Sequence, residues 1–214
     1  MSTDHFDVIV VGGGPAGATA ATDLARAGRH VLLLDRAGRI KPCGGAIPPR
    51  AIRDFDIPDS QLCAKIRSAR MIAPSEMAVD MPIENGFVGM VDREHFDEFL
   101  RQRAVEAGAE RRDGTFLDLT RDEDGTCVIT YQDRQAGEKR MVRALCVIGA
   151  DGANSAVARA AMPKADRPPF VFAYHEIIRT PENAPAASYA PTRCDVYYQS
   201  PVSPDFYGWV FPHG

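Results

Sequence analysis

The sequence predicts an α/β fold: a Rossmann-like, doubly wound nucleotide-binding domain that carries a second layer of short antiparallel strands. Three observations predict it. The valine-rich run "FDVIVV" at 6–11 stops at "GGGPAG" and passes into an alanine-rich segment closing at Gly28. A second apolar run, "HVLLLD" at 30–35, follows at once and completes a strand, helix, strand unit. Short β-like pieces broken by Pro and Gly then replace this pattern between 66 and 91, and again after 165.

The first two runs are apolar throughout rather than alternating, as expected of parallel strands covered on both faces. The segment "RIKPCGGAIPPRA" at 39–51 is proline-bracketed and glycine-rich, so it reads as a rigid loop, neither helix nor interior strand. "KIRSARMIAP", "MAVDMPI" and "GFVGMV" follow as three short strands of an antiparallel excursion. Residues 92–109 place Phe96, Phe99, Leu100 and Ala104 at helical spacing, with Asp92 as N-cap and Gly108 as the stop. "TFLDLTRDEDGTCVITYQD" and "KRMVRALCVIGA" read as a meander turned at Asp124-Gly125. The turn "DGAN" leads from its last strand into a helix capped by Asn154 or Ser155. From Pro163 the chain becomes proline-rich and aromatic, with strands expected at "FVFAYHEIIRT", "RCDVYYQS" and "FYGWVFP". The expected division is 1–65 with 92–165 as the dinucleotide domain, and 66–91 with 166–214 as part of a β-sheet domain truncated at its C-terminal side.

Composition excludes several functions. Of the 214 residues 45% are hydrophobic and 25% charged, enough for a sizeable core, and the net charge of −4 is spread without a basic block. No nucleic-acid partner is expected. The five cysteines, Cys43, Cys63, Cys127, Cys146 and Cys194, never stand as CxxC, which argues against a disulfide framework and against a structural metal site. A reducing, cytoplasmic setting fits. Neither a signal sequence nor an apolar run of about 18 residues is present, so membrane contact is expected to be peripheral at most.

The chemistry begins at the glycine turn. Gly12 permits the tight turn, Gly14 lets the backbone approach a pyrophosphate, and Gly17 allows close packing of helix on strand. Asp35, eighteen residues beyond Gly17 at the end of the second strand, is placed to accept the ribose hydroxyls. NAD and FAD share the ADP half. A nicotinamide fold would continue to a third parallel strand, whereas this chain makes its Cys-Gly-Gly loop and an antiparallel excursion, which favours FAD. Asp151-Gly152, between a strand and a helix carrying Arg159, forms a second glycine turn suited to a phosphate or sugar.

The stretches "VVGGGPAGATAA", "VDREHFDEFL" and "VIGADGANSAVAR" resemble the flavoprotein group, of glutathione-reductase and aromatic-hydroxylase type, that includes the geranylgeranyl reductases. "LLLDRAGRIKPCGGAIPPRAIRDFDIP", "FVFAYHEII" and "DFYGWVFPHG" are similar to the geranylgeranyl reductases of chlorophyll and bacteriochlorophyll synthesis in particular. The resemblance implies FAD as cofactor, NADPH as a transient reductant, and saturation of isolated double bonds in a geranylgeranyl tail. That tail would be attached to (bacterio)chlorophyll or free as geranylgeranyl diphosphate, at the photosynthetic membrane. Position by position it implies pyrophosphate glycines at Gly12, Gly14 and Gly17, the ribose acid at Asp35 and the basic residue after it at Arg36. It also implies a cofactor-contacting Arg93, the Asp151-Gly152 pair, and Cys43-Gly44-Gly45 as the loop against the flavin ring. Cys43 is the candidate for taking part in the chemistry, with Gly44 and Gly45 leaving room for flavin and substrate. His175 and Tyr198 are conceivable proton donors, and packing roles outrank chemical ones for both. The rival readings are an FAD-dependent aromatic monooxygenase and a non-catalytic flavin-binding fragment.

Overall fold

The computed structural model describes residues 4–36, 43–165, 168–179 and 190–214. In chain order its strands and helices are β1 (Asp4–Val11), α1 (Pro15–Arg26), β2 (Val31–Asp35), β3 (Ala46–Ile47) and α2 (Pro49–Asp54). Then come β4 (Ala64–Ile66), β5 (Ser68–Ile72), β6 (Ala78–Pro82), β7 (Val88–Met90) and α3 (Arg93–Glu106). The last are β8 (Glu110–Arg121), β9 (Cys127–Asp133), β10 (Lys139–Gly149), α4 (Ala156–Ala161), β11 (Arg193–Tyr197) and β12 (Gly208–Val210). The chain divides into two compact units, 1–40 with 97–167 and 41–96 with 168–214.

In the first unit β1 lies between β2 and β10, parallel to both. Side chains alternate between two cores. Ile9, Val11, Leu32 and Leu34 face Ile129 and Tyr131 of the meander, while Val8, Val10, Val31 and Leu33 pack with Ala21 of α1 and Ala104 of α3. Burial on both faces explains why these strands are apolar at every position. The sheet is closed, in the order β1, β10, β9, β8, β2. Two long strands close it by serving two partners each. Glu110–Asp113 of β8 pair with β2 in parallel, and Gly114–Arg121 pair with β9 in antiparallel. β10 likewise meets β9 through Lys139–Ala144 and β1 through Val142–Gly149.

The second unit holds a sheet β12, β11, β5, β6 and a smaller one β3, β7, β4. Ile66, Met90 and Cys194 form its buried centre, with Phe211 packed against them. Three expectations are corrected here. Residues 43–65, expected in the dinucleotide domain, fold with this unit because β3 and β4 both hydrogen-bond to β7. The sheet is mixed rather than wholly antiparallel: β11 runs parallel to β5. A parallel neighbour needs a long connection, and the first unit's chain from α3 to α4 supplies it. Finally, the proline-rich loop does contain a helix. Pro49 occupies the first helical turn of α2, where its missing N–H costs nothing. The loop's residues 39–42 lie outside the described residues.

The strand expected at 170–180 does not form among the described residues 170–179. Phe172 is 88% and Ile177 84% exposed, so an apolar β-like composition without a neighbouring strand produces no ladder. Strands do form at β11 and β12 within the other two aromatic runs. Among the described residues, no helix is long and apolar enough to cross a membrane.

Candidate functional site

In the first unit, β1 delivers the chain into the turn Gly12-Gly13-Gly14, and Pro15 opens α1. Gly12 has φ +108, a conformation open to glycine, and a Cβ there would lie 2.4 Å from the Ala150 carbonyl oxygen. At Gly17 a Cβ would come 1.8 Å from the Gly12 carbonyl oxygen, so helix and turn touch backbone to backbone. Gly14 differs: among the described residues nothing lies within 4 Å of the position its Cβ would take. Gly14 also caps α1 without a side-chain hydrogen bond to the first turn. An uncapped helix start beside open space is what an anionic group requires.

Asp35, at the end of β2, accepts a hydrogen bond from the Gly13 N–H at 2.9 Å. Arg101 of α3, mostly buried, donates from Nη1 to the Gly13 carbonyl at 3.1 Å and lies 3.7 Å from the other Asp35 oxygen. Glu98 orients Arg101 through a 2.9 Å contact to Nε and also meets Arg111. The Arg111 hydrogen bond, then that of Arg101, holds the Glu98 carboxyl below the usual carboxylate range against its own desolvation. The sequence reading missed Arg101, which is 88 residues from Gly13. Arg36 is exposed and its carbonyl accepts a hydrogen bond from Arg134.

The Asp151 carboxylate is engaged locally. It accepts from Ser155 Oγ at 2.5 Å, Ala156 N–H at 2.6 Å and Val157 N–H at 3.2 Å, while Ser155 Oγ accepts from Ala158 N–H. Of the two expected caps, Ser155 is the one used. The helix start expected to be offered to a phosphate is thus satisfied by protein groups. Gly152 takes φ +87, and Arg159 donates to the Asn154 carbonyl at 2.9 Å.

The Cys43-Gly44-Gly45 loop belongs to the second unit, and Cys43 is exposed. Its glycines are packed closely against neighbouring protein atoms. A Cβ at Gly44 would lie 2.8 Å from the Phe211 ring, and one at Gly45 would lie 2.3 Å from the Val91 carbonyl oxygen and 3.1 Å from His213. Gly45 also has φ +72. His213 Nε2 is 3.1 Å from the Gly44 carbonyl oxygen, a contact between residues 169 apart that the sequence reading did not anticipate. Arg93 opens α3 and is half-buried. His175 stacks on Trp209 with ring centroids 6.4 Å apart, and Tyr198 lies 6.1 Å from Tyr207, so both are in aromatic packing. The cysteines of the described residues are all free thiols.

A βαβ glycine turn, an acid at the end of β2 and a closed five-stranded core define a nucleotide-binding oxidoreductase domain, and residues 6–159 match the family model for pyridine nucleotide-disulphide oxidoreductases. The chain belongs to that family, and its fold is the FAD-binding fold of these enzymes. Within it, the expected resemblance to geranylgeranyl reductases is borne out. The chain is 65% identical over 209 residues to the geranylgeranyl diphosphate reductase of Rhodobacter capsulatus, covering 98% of this chain and 52% of the relative. It is 41% identical to the chloroplastic geranylgeranyl diphosphate reductase of Oryza sativa, covering 96% of this chain and 46% of the relative. A solved geranylgeranyl bacteriochlorophyll reductase-like protein from Thermoplasma acidophilum superposes with TM-score 0.80 at 27% identity, covering 100% of this chain and 55% of that one. The chain spans about half the length of the relatives it matches.

Proposed function

We propose that this protein reduces the geranylgeranyl group of a prenylated substrate, (bacterio)chlorophyll-linked or free as the diphosphate, with FAD as its cofactor and NADPH as its reductant. One observation carries the cofactor assignment: of the three fingerprint glycines, Gly12 and Gly17 are walled by protein and Gly14 faces open space beside an uncapped helix start. Those features fit a dinucleotide pyrophosphate. In this reading Gly14 admits the pyrophosphate, the first turn of α1 donates its N–H groups, and Asp35 accepts from the ribose hydroxyls. Arg36, Arg93, Asp151 and Gly152 belong to the proposed cofactor surroundings, and Cys43, Gly44 and Gly45 to the loop against the flavin. Bound there, the reduced cofactor supplies a hydride.

The substrate assignment rests on the named relatives and the extended similarity to them. Isolated double bonds stabilise no negative charge, so a proton must reach the alkene together with the hydride. The protein's part is to exclude water and hold each bond in place. In this reading NADPH is a transient reductant that reloads the flavin with hydride. We assign a cytoplasmic location with peripheral contact at the photosynthetic membrane.

The test is anaerobic incubation of the purified protein with FAD, NADPH and either geranylgeranyl-bacteriochlorophyll or geranylgeranyl diphosphate. The expected product gains two hydrogens for each bond saturated. A strict requirement for oxygen would overturn the reading in favour of a monooxygenase, and absence of a flavin spectrum would remove the cofactor assignment.

A further inference from the structure

The second unit holds both carbonyls of the Gly44-Gly45 turn. Val91 N–H donates to the Gly45 carbonyl at 3.0 Å, and His213 Nε2 lies 3.1 Å from the Gly44 carbonyl. A carbonyl oxygen can only accept, so Nε2 carries the hydrogen in either charge state of the ring. The remaining ring nitrogen, Nδ1, is 3.7 Å from Cys63 Sγ, which itself lies 3.2 Å from the Met90 carbonyl. Although Cys63 is exposed as a residue, desolvation of its sulfur pushes the thiol above its ordinary value, and the Asp92 charge acts in the same direction. Cys63 therefore stays a neutral thiol, its one S–H donated to the Met90 carbonyl and its sulfur beside Nδ1, and not a competing nucleophile. The ring edge also fills the space beside Gly45, and Phe211 closes over Gly44.

Resting on the reading of Cys43 as the residue that the loop presents to the reaction, we infer that His213 is a positioning residue. Its Nε2–H, donated to the Gly44 carbonyl, fixes the turn from which Cys43 projects. The requirement is for a donor at one specific place. Glutamine sets its amide nitrogen where Nε2 stands, whereas asparagine sets its own where Nδ1 stands. His213→Gln therefore keeps the bond, and His213→Asn and His213→Ala lose it.

Amide hydrogen exchange of Val91 on the purified protein reads the turn directly, with Leu32 of β2 as the reference for global opening. Exchange at Val91 is expected to quicken about five- to tenfold in His213→Ala and His213→Asn, the loss of one hydrogen bond, and to keep the wild-type rate in His213→Gln. Leu32 is expected to be unchanged. Equal rates in all four proteins, or equal acceleration in the glutamine and alanine variants, would overturn the inference. In the flavin-loaded enzyme, kcat for geranylgeranyl reduction should follow the same order while KM stays constant, and a kcat indifferent to all three variants would overturn the positioning role. A wild-type protein that reduces no geranylgeranyl substrate defeats the functional reading instead, and the exchange pattern still decides the hydrogen bond.

Discussion

Among the described residues, a side chain added at Gly14 of the first unit would meet nothing within 4 Å, whereas one added at Gly44 or Gly45 of the second would strike the Phe211 ring or the Val91 carbonyl. Both stretches are glycine pairs or triplets within a few residues of Pro, and by composition they look alike. Their physical demands are opposite. In the first, protein atoms wall Gly12 and Gly17 so tightly that the one open glycine between them marks where a partner molecule approaches. In the second, the glycines let the chain fold against itself, and whatever Cys43 does depends on how well that contact holds. A glycine-rich motif acquires meaning from what stands where its Cβ would be.

Several substitutions sharpen this comparison, the largest effect first. Gly17→Ala should destabilise the first unit by about 3 kcal/mol or more in urea unfolding, because its Cβ would press on a backbone oxygen that cannot retreat. A variant within a few tenths of wild type would show that turn and helix can separate at little cost. Gly45→Ala combines φ +72 with the Val91 carbonyl and should cost about 2 kcal/mol in flavin-free protein. If it lost stability only in the presence of flavin, the open-face role would pass to this loop. Ser155→Ala removes the cap of α4 and should cost about 1 kcal/mol, checked by the same unfolding curve.

The smallest effect is one of pH. The folded-state pKa of Glu98 is depressed by Arg111 and Arg101, so its contribution is present above its unfolded value of about 4.3 and is lost as pH falls through the lower folded value. The Glu98 side chain is half exposed, so screening holds this to a fraction of about 1 kcal/mol. Glu98→Gln should flatten the acid limb of the stability profile slightly. An acid limb identical to wild type would show that Arg101 keeps its place beside Gly13 unaided.

The sequence made the first unit's turn legible because every requirement there is local: a glycine at positive φ, a proline opening the helix and an acid closing the next strand lie within 24 residues. It hid what depends on distant partners. Arg101 reaches Gly13 across 88 residues, and His213 reaches Gly44 across 169, with no periodicity linking either pair. The closure of the main sheet was hidden for a related reason, since nothing in β8 or β10 alone announces two pairing partners. At 170–179 the pattern misled in the opposite sense: β-prone residues stand without a neighbour to pair with among the described residues. Asp151 was legible as a turn residue, and only the fold reveals its carboxylate spent on the α4 amides.

Gly14 is the residue on which the proposed cofactor cradle depends. Gly14→Ala should be measured twice on the same preparation, by urea unfolding of the flavin-free protein and by FAD titration. With φ −73 and open space around it, the alanine should leave stability within about 0.5 kcal/mol of wild type while weakening FAD binding at least about tenfold. Wild-type FAD affinity in a stably folded Gly14→Ala protein would contradict the assignment of this turn as the cofactor cradle.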